Sequence, residues 1–273
     1  MVRSVLVTGA NSGIGLDTAF HLARLGFRVV GTARSEDQAE SLTTAASDAG
    51  LGVEAVVADV TDVARCEALV ARVEPWAVVN NAGYMNVGQV VDVPPEEARR
   101  QLDTMVIAPM RLAALALPGM RRRGDGRIVN ISSVTAHATA AMTGWYQACK
   151  HALSAVSDAL RREVAADGVD VVLVEPGGIR TGIWDKARRD LVRRRPHSAL
   201  PGRYDRALRL LHASRPFFGE PMAVAQVVGD ALTAGRPRSH YRVGADAPVI
   251  ELVHALLPSR AEDALARAAL GQR

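Results

Sequence analysis

Three residues near the middle of the chain have the types and spacing for shared acid–base chemistry: Ser133, Tyr146 and Lys150. Tyr146 stands four residues before Lys150 and thirteen after Ser133. On a helix, Tyr-x-x-x-Lys puts both side chains on one face, one turn apart. Lys150 is one of two lysines in 273 residues, and nearly all the other basic residues are arginine. A retained lysine points to a need for a compact ammonium rather than a planar guanidinium. Two charges ~4 Å apart at an effective dielectric of ~20 interact by ~4 kcal/mol. That is roughly three pKa units, which predicts a phenol brought from ~10 to near 7, a general acid or base at working pH. Ser133 then supplies the hydroxyl that orients a substrate oxygen. A half-buried aromatic beside a solvated lysine would give the same spacing, so the start of the chain has to decide.

That start reads Ser4-Val5-Leu6-Val7-Thr8, a short apolar run suited to a buried parallel strand. Gly9-Ala10-Asn11-Ser12-Gly13-Ile14-Gly15 follows, then apolar residues at helical spacing (Leu16, Ala19, Phe20, Leu22, Ala23) up to Gly26. Glycines between a strand and a helix let the backbone turn tightly. They also let a pyrophosphate approach the helix N-terminus, where free N–H groups and the dipole favour anions. The spacing is Gly-x-x-x-Gly-x-Gly, not the commoner Gly-x-Gly-x-x-Gly.

Strand and helix signals then alternate. Residues 29–32, 53–57, 77–80, 127–131 and 169–174 read as buried strands, and 36–49, 62–73, 95–120 and 145–167 as the helices between them. Pro75, Pro94-Pro95, Gly124-Asp125-Gly126 and Gly168 mark breaks, and Pro109 predicts a kink in the long fourth helix. This order predicts an α/β fold: a Rossmann-like, doubly wound parallel sheet with helices on both faces and a ligand at its carboxyl edge. No repeat or linker divides the chain, so residues 1–273 read as one catalytic domain.

These residues resemble the short-chain dehydrogenases/reductases over roughly residues 3–182. The segment from Thr8 to Gly15 resembles the family's cofactor loop, with Gly9, Asn11, Ser12, Gly13, Ile14 and Gly15 as its contacts. Asp59-Val60 resembles the adenine contact, and Asn80-Asn81-Ala82-Gly83 the signature closing strand four. Ser133, Tyr146 and Lys150 match the catalytic set, and Pro176, Gly177, Ile179 and Thr181 the segment that receives the nicotinamide carboxamide. The resemblance implies hydride transfer between nicotinamide C4 and a carbonyl or alcohol carbon. In it Tyr146 moves the hydroxyl proton, Lys150 lowers the phenol pKa and holds the nicotinamide ribose, and Ser133 holds the reacting oxygen. It also implies a cytoplasmic homodimer or homotetramer, with no metal.

Cofactor choice is read at the end of strand two, Thr32-Ala33-Arg34-Ser35. An acid there would hold a ribose 2′-hydroxyl, but the position is Ala33, and Arg34 follows. A guanidinium binds a 2′-phosphate in bidentate fashion, so the expected cofactor is NADP(H). Glu36 and Asp37 are expected in the first turn of the next helix.

Composition bounds the rest. With 48% hydrophobic but only 4% aromatic residues, the core must rely on Ala, Val and Leu. Two cysteines, Cys66 and Cys149, argue against a disulfide framework. The chain enters a strand at once, and no apolar run reaches the ~18 residues of a membrane span, so neither a signal peptide nor an integral membrane segment is expected. The arginines are scattered among 29 acidic residues, which argues against nucleic acid.

Residues 182–218 are expected to form a substrate lid, with Ile183, Trp184 and Trp145 as apolar walls around a small-molecule substrate. The lid's basic run, Lys186 to Arg195, reads as a solvated face; the alternative is a handle for an acyl-thioester carrier. The tail resembles the hydroxysteroid and retinol dehydrogenase-like branch, which implies a lipophilic alcohol or ketone. Helices are expected at 221–234, 248–257 and 261–270, with a last strand at 241–244. A dinucleotide-binding regulator without turnover is the reading from another class, and the complete Ser133/Tyr146/Lys150 set argues against it. One departure stands out: the family's helix-four asparagine, which holds a water for the lysine, falls on Met105, and a thioether cannot take an amide's place.

Overall fold

A computed structural model of the protein describes residues 2–244 and 259–270. Seven strands form one parallel sheet: β1 (Ser4–Val7), β2 (Arg28–Ala33), β3 (Val53–Val57), β4 (Ala77–Asn80), β5 (Gly126–Ile131), β6 (Val169–Pro176) and β7 (His240–Val243). Their order across the sheet is β3-β2-β1-β4-β5-β6-β7. The order reverses between β1 and β4, which opens a crevice at their carboxyl ends, where open α/β sheets bind ligands.

Strand residues alternate between two cores because successive side chains point to opposite faces. Val5, Val7, Ala77, Val79, Val129, Ile131, Val172 and Val174 face α1 (Gly13–Arg24), α2 (Glu36–Asp48) and the helix Pro221–Thr233. Leu6, Val78, Ile128 and Val171 face α3 (Val63–Val73) and the long helix that follows β4. Both faces are apolar, which is why the strands read as unbroken hydrophobic runs.

The long helix is two helices joined by a π turn: α4 (Pro95–Leu102), the turn Asp103–Ile107, and α5 (Ala108–Arg123). The expected kink therefore lies one turn before Pro109, which opens α5. Pro109 has no N–H to give the carbonyl four residues back, and the wide turn absorbs that defect. By length and composition alone the stretch Pro95–Arg123 is apolar enough to cross a membrane. Here it lies along the sheet and buries Leu112, Ala113, Ala116, Leu117 and Met120, as a core helix does.

The catalytic candidates sit on α6 (Gly144–Glu163) and the loop after β5. The segment expected as a lid contains α7 (Ile183–Arg194) and α8 (Pro201–Ser214). Helix α9 (Pro221–Thr233) and strand β7 follow as expected, and α10 spans Ser259–Leu270. The helix expected at 248–257 lies outside the described residues.

Candidate active site

The glycine loop is held from below by β4. Asn81 Nδ2 donates to the carbonyls of Thr8 (2.9 Å) and Gly9 (3.1 Å). Thr8 Oγ1 accepts from the N–H groups of Asn81 and Ala82, each at 3.0 Å. A Cβ on Gly15 would stand 2.1 Å from the Gly9 carbonyl oxygen, so the crossing of the loop and α1 leaves no room for a side chain. Gly9 and Gly13 adopt φ of 65° and 54°, left-handed values that suit glycine. A Cβ on Gly13 would meet Thr181 Cγ2 at 3.0 Å, so the loop and the segment after β6 touch at this point.

Helix α1 starts here with Ser12 as N-cap, its side chain making no capping bond, and with no acid in the first turn. Its leading N–H groups therefore face the crevice without a competing carboxylate, as a pyrophosphate requires. Asn11 and Ile14 are half-buried beside them.

At the neighbouring strand end, Ala33 is buried and Arg34 is exposed. Ser35 caps α2 by accepting from Gln38 N, and Glu36 and Asp37 occupy the first turn, as expected. No acid competes at the strand end itself, so the residues present fit a 2′-phosphate. Asp59 is fixed by an Asx turn, its Oδ1 accepting from Thr61 N (2.8 Å) and Thr61 Oγ1 (2.7 Å), with Val60 buried next to it. Gly83 lies against Met105, where a Cβ would stand 3.5 Å from Met105 Cγ.

Ser133, Tyr146 and Lys150 are all buried. Lys150 Nζ donates to the Ile131 carbonyl at 2.7 Å and lies 5.6 Å from the centre of the Tyr146 ring. Ser133 Oγ donates to the Pro176 carbonyl at 3.3 Å, and it accepts from Thr135 Oγ1 at 2.9 Å and Thr135 N at 3.2 Å.

The electrostatics correct the expectation of an acidic phenol. Burial pushes the Tyr146 phenol up to about 12, opposed in part by its hydrogen bond with Ser133. Burial also pushes Lys150 down to about 8. Coulomb attraction between two charges leaves out the desolvation of both partners, which is the larger effect for groups this enclosed. The chain's own residues thus do not make the phenol acidic.

Around the hydroxyls, residues from several segments build an apolar wall. Met85, Met105, Met142, Tyr146, Cys149 and Leu191 share one cluster, with Ile183 and Trp184 packed against it. Trp184 stacks on Phe218 at 4.4 Å and donates Nε1 to the Ile179 carbonyl at 2.7 Å. Trp145 turns away from Tyr146, its Nε1 donating to the Val90 carbonyl at 3.2 Å. A surface cavity of about 510 Å³ lined by Val90, Gly144, Gln147 and His151 lies on the opposite side of α6 from Tyr146 and Lys150.

The lid's basic run is only partly a solvated face. Arg194 is buried, bonds Glu97 and donates Nη1 to the Val87 carbonyl at 2.6 Å. Arg193 reaches Glu97 (2.9 Å), Lys186 reaches Asp190 (2.9 Å) and Arg195 reaches Asp205 (2.7 Å). These cations lock the lid to α4 and to itself.

Two polar networks had only faint sequence signals. Asn80 Nδ2 donates to Asn130 Oδ1 (2.8 Å) and Asn130 Nδ2 to Ser157 Oγ (2.7 Å), a buried chain that ties β4 and β5 to α6. Glu175, fully buried, bonds His137 (2.8 Å) from the Ser133 loop and His240 (3.2 Å) from β7. An asparagine or glutamate inside an apolar strand was the available clue.

A crevice at a sheet reversal, a glycine cradle beneath a bare helix N-terminus and a buried Ser–Tyr–Lys group agree with what the comparisons find. The family model for short chain dehydrogenases matches residues 3–192. The NADPH-dependent 3-dehydrocapnine reductase of Ornithobacterium rhinotracheale is 30% identical over 276 residues, covering 96% of this chain and 95% of the relative. Retinol dehydrogenase 7 of Mus musculus is 30% identical over 286 residues, covering 96% and 87%. Among solved structures, a single-substitution variant of actinorhodin polyketide ketoreductase with NADPH superposes with a TM-score of 0.78 at 28% identity, covering 90% of this chain and 97% of the other. The chain belongs to the short-chain dehydrogenase/reductase family and is an oxidoreductase of that family.

Proposed function

We propose that this chain, as one catalytic domain, interconverts a carbonyl and an alcohol on a lipophilic substrate, with NADP(H) as cofactor and Tyr146 as the acid/base group. The observation that carries the reading is the buried grouping of Ser133, Tyr146 and Lys150 on the same sheet edge as the glycine cradle. When bound, the nicotinamide supplies or accepts a hydride. The N-terminus of α1, with Asn11, Ser12 and Ile14, holds the pyrophosphate, and Arg34 holds the 2′-phosphate. Asp59 and Val60 border the adenine. Asn81, Ala82 and Gly83 shape the floor, while Pro176, Gly177, Ile179 and Thr181 seat the carboxamide. Ser133 orients the substrate oxygen, Tyr146 gives or takes its proton, and Lys150 orients the ribose and offsets charge that develops on the phenol.

The NADPH-bound and NADPH-dependent relatives support the cofactor, and Arg34 with Ala33 supports the same choice from this chain's own residues. The apolar wall of Ile183 and Trp184, together with the likeness to a retinol dehydrogenase, supports a lipophilic substrate. Lys186, Arg193 and Arg194 are paired within the protein and so do not serve an acyl-thioester handle, while Arg188 and Arg189 of the same run are exposed.

The test is a panel of steroids, retinoids, aliphatic ketones and acyl thioesters, assayed with NADPH and NADP⁺. Turnover of a steroid, retinoid or ketone is expected. Turnover of thioesters alone would overturn the substrate class. Tight NADPH binding with no turnover of any carbonyl or alcohol would favour a dinucleotide-binding regulator.

A further inference from the structure

We propose that His137 is a positioning residue for this site: its bond to the buried Glu175 holds the Ser133 loop against the end of β6, so that the Ser133 hydroxyl keeps its place when it turns to the substrate. The proposal rests on the reading of Ser133 as the group that orients the substrate oxygen.

Glu175 stands directly before Pro176 at the end of β6 and is fully buried. A carboxylate only accepts hydrogen bonds, and one this enclosed has to be paired. Its Oε1 accepts from His137 Nε2 at 2.8 Å and from His240 Nδ1 at 3.2 Å, and Arg242 Nε lies 3.6 Å from Oε2. His240 and Arg242 belong to β7, the strand beside β6, and His240 Nε2 also reaches Asp158 Oδ1 on α6 at 3.3 Å. These contacts tie Glu175 to the sheet and to α6. Of its partners, His137 is the one from the loop of Ser133.

That loop is fastened on both sides of the serine. Before it, Ser132 N–H donates to the Val174 carbonyl at 2.7 Å, and Ser132 Oγ pairs with Ser154 Oγ at 2.9 Å. After it, the short turn Val134–Ala136 leads to His137 and its bond to Glu175. Between the two fastenings, Ser133 Oγ donates to the Pro176 carbonyl at 3.3 Å, beyond the usual reach of about 2.5–3.0 Å for O–H···O. Ser133 has one proton to give. When a carbonyl substrate takes it, the bond to Pro176 is given up and no longer restrains the loop. The bonds from Thr135 to Ser133 stay within the loop and anchor it to nothing else. The His137–Glu175 bond then holds the far side of the serine to β6. The His137 side chain is 35% exposed, and Glu175 keeps His240 and Arg242 without it, so this bond can be removed while the core stays paired.

His137→Leu keeps bulk without the N–H donor, and His137→Gln keeps an N–H donor at similar reach. Each is made in the wild type and in Ser133→Ala. The readouts are kcat with a carbonyl that the wild type reduces and the dissociation constant for NADPH. His137→Leu is expected to lower kcat by roughly 10- to 100-fold, the cost of a misplaced group, with NADPH affinity unchanged. His137→Gln is expected to recover most of that loss. In Ser133→Ala, His137→Leu is expected to cost no more than about twofold further, because a residue that acts through Ser133 has nothing left to position. If His137→Leu does not fold, His137→Ala carries the same expectations. A folded His137→Leu protein with wild-type kcat, a His137→Gln protein as impaired as His137→Leu, or an equal fold-loss in both backgrounds overturns the proposal. Failure of the underlying reading looks different: Ser133→Ala would then keep its turnover.

Discussion

The ammonium of Lys150 donates to the main-chain carbonyl of Ile131 at 2.7 Å, two residues before Ser133. This bond ties α6 to the end of β5. It fixes the separation between the helix that carries Tyr146 and the loop that carries Ser133, so the lysine sets the geometry of the site as well as its charge.

That lysine is held in its charged form at a cost. Burial moves it from the ordinary 10.5 to about 8, so between those values the unfolded chain binds a proton that the folded chain has released. Stability from this group therefore rises with pH from about 8 to 10.5, and the penalty is full below that window. Lys150→Met is expected to melt no lower than the wild type at pH 7, with its relative advantage shrinking at pH 9.5. Its turnover is expected to fall by at least about 10²-fold. Thermal melts at the two pH values, with kinetics at the lower one, check this. A large loss of stability at pH 7 would contradict the stated burial cost.

Cofactor discrimination should reside in Arg34. Arg34→Ala is expected to weaken NADPH binding by roughly 10- to 100-fold, the value of charge-assisted hydrogen bonds of about 1.5–3 kcal/mol, and to leave NADH binding nearly unchanged. Dissociation constants for both cofactors measure it. Equal losses for the two would remove the 2′-phosphate assignment.

Much of this was legible in the sequence, for identifiable reasons. The central strands are buried on both faces, so their apolar runs marked them nearly to the residue: β3 and β4 match in full, and β2 and β5 differ by a residue at the ends. The glycine loop was legible because only glycine fits where a Cβ would meet the Gly9 carbonyl. The lid was not. Glu97 and Arg194 are far apart in the chain, and nothing local distinguishes a paired arginine from a solvated one. The phenol's raised pKa was also missed, because it depends on enclosure by Met85, Met105 and Met142 from separate segments.

Glu97 anchors the lid. Its carboxyl is held below the usual carboxylate range, first by the hydrogen bond from Arg193 and also by the charge of Arg194, against the effect of burial. A depressed carboxylate stabilises fully above its unfolded value, and that stability is lost as pH falls through its folded value. Glu97→Gln is expected to cost roughly 3 kcal/mol or less at pH 7, since Asp190 remains near Arg194. The gap should close as the wild type is acidified into the carboxylate range. Melting curves against pH measure it; a gap independent of pH would mean that charge is not what holds the lid.

Met105→Asn places an amide in the π turn, against the wall beside Lys150. Burying it is expected to cost about 1–3 kcal/mol if it finds no partner. Cofactor affinity should be unchanged, while turnover rises or the pH–rate profile shifts as the amide offers a polar partner beside Lys150. A folded variant with wild-type kinetics would mean that this position carries no relay.

The central claim is that Tyr146 moves the substrate's proton. Its most direct test is Tyr146→Phe, which removes one oxygen and keeps the ring within its apolar cluster. NADPH affinity is measured by titration, and kcat with a carbonyl that the wild type reduces. The account predicts unchanged NADPH binding and a kcat lower by at least about 10²-fold, the contribution typical of general acid–base catalysis. A variant that binds NADPH and turns over at the wild-type rate would contradict it.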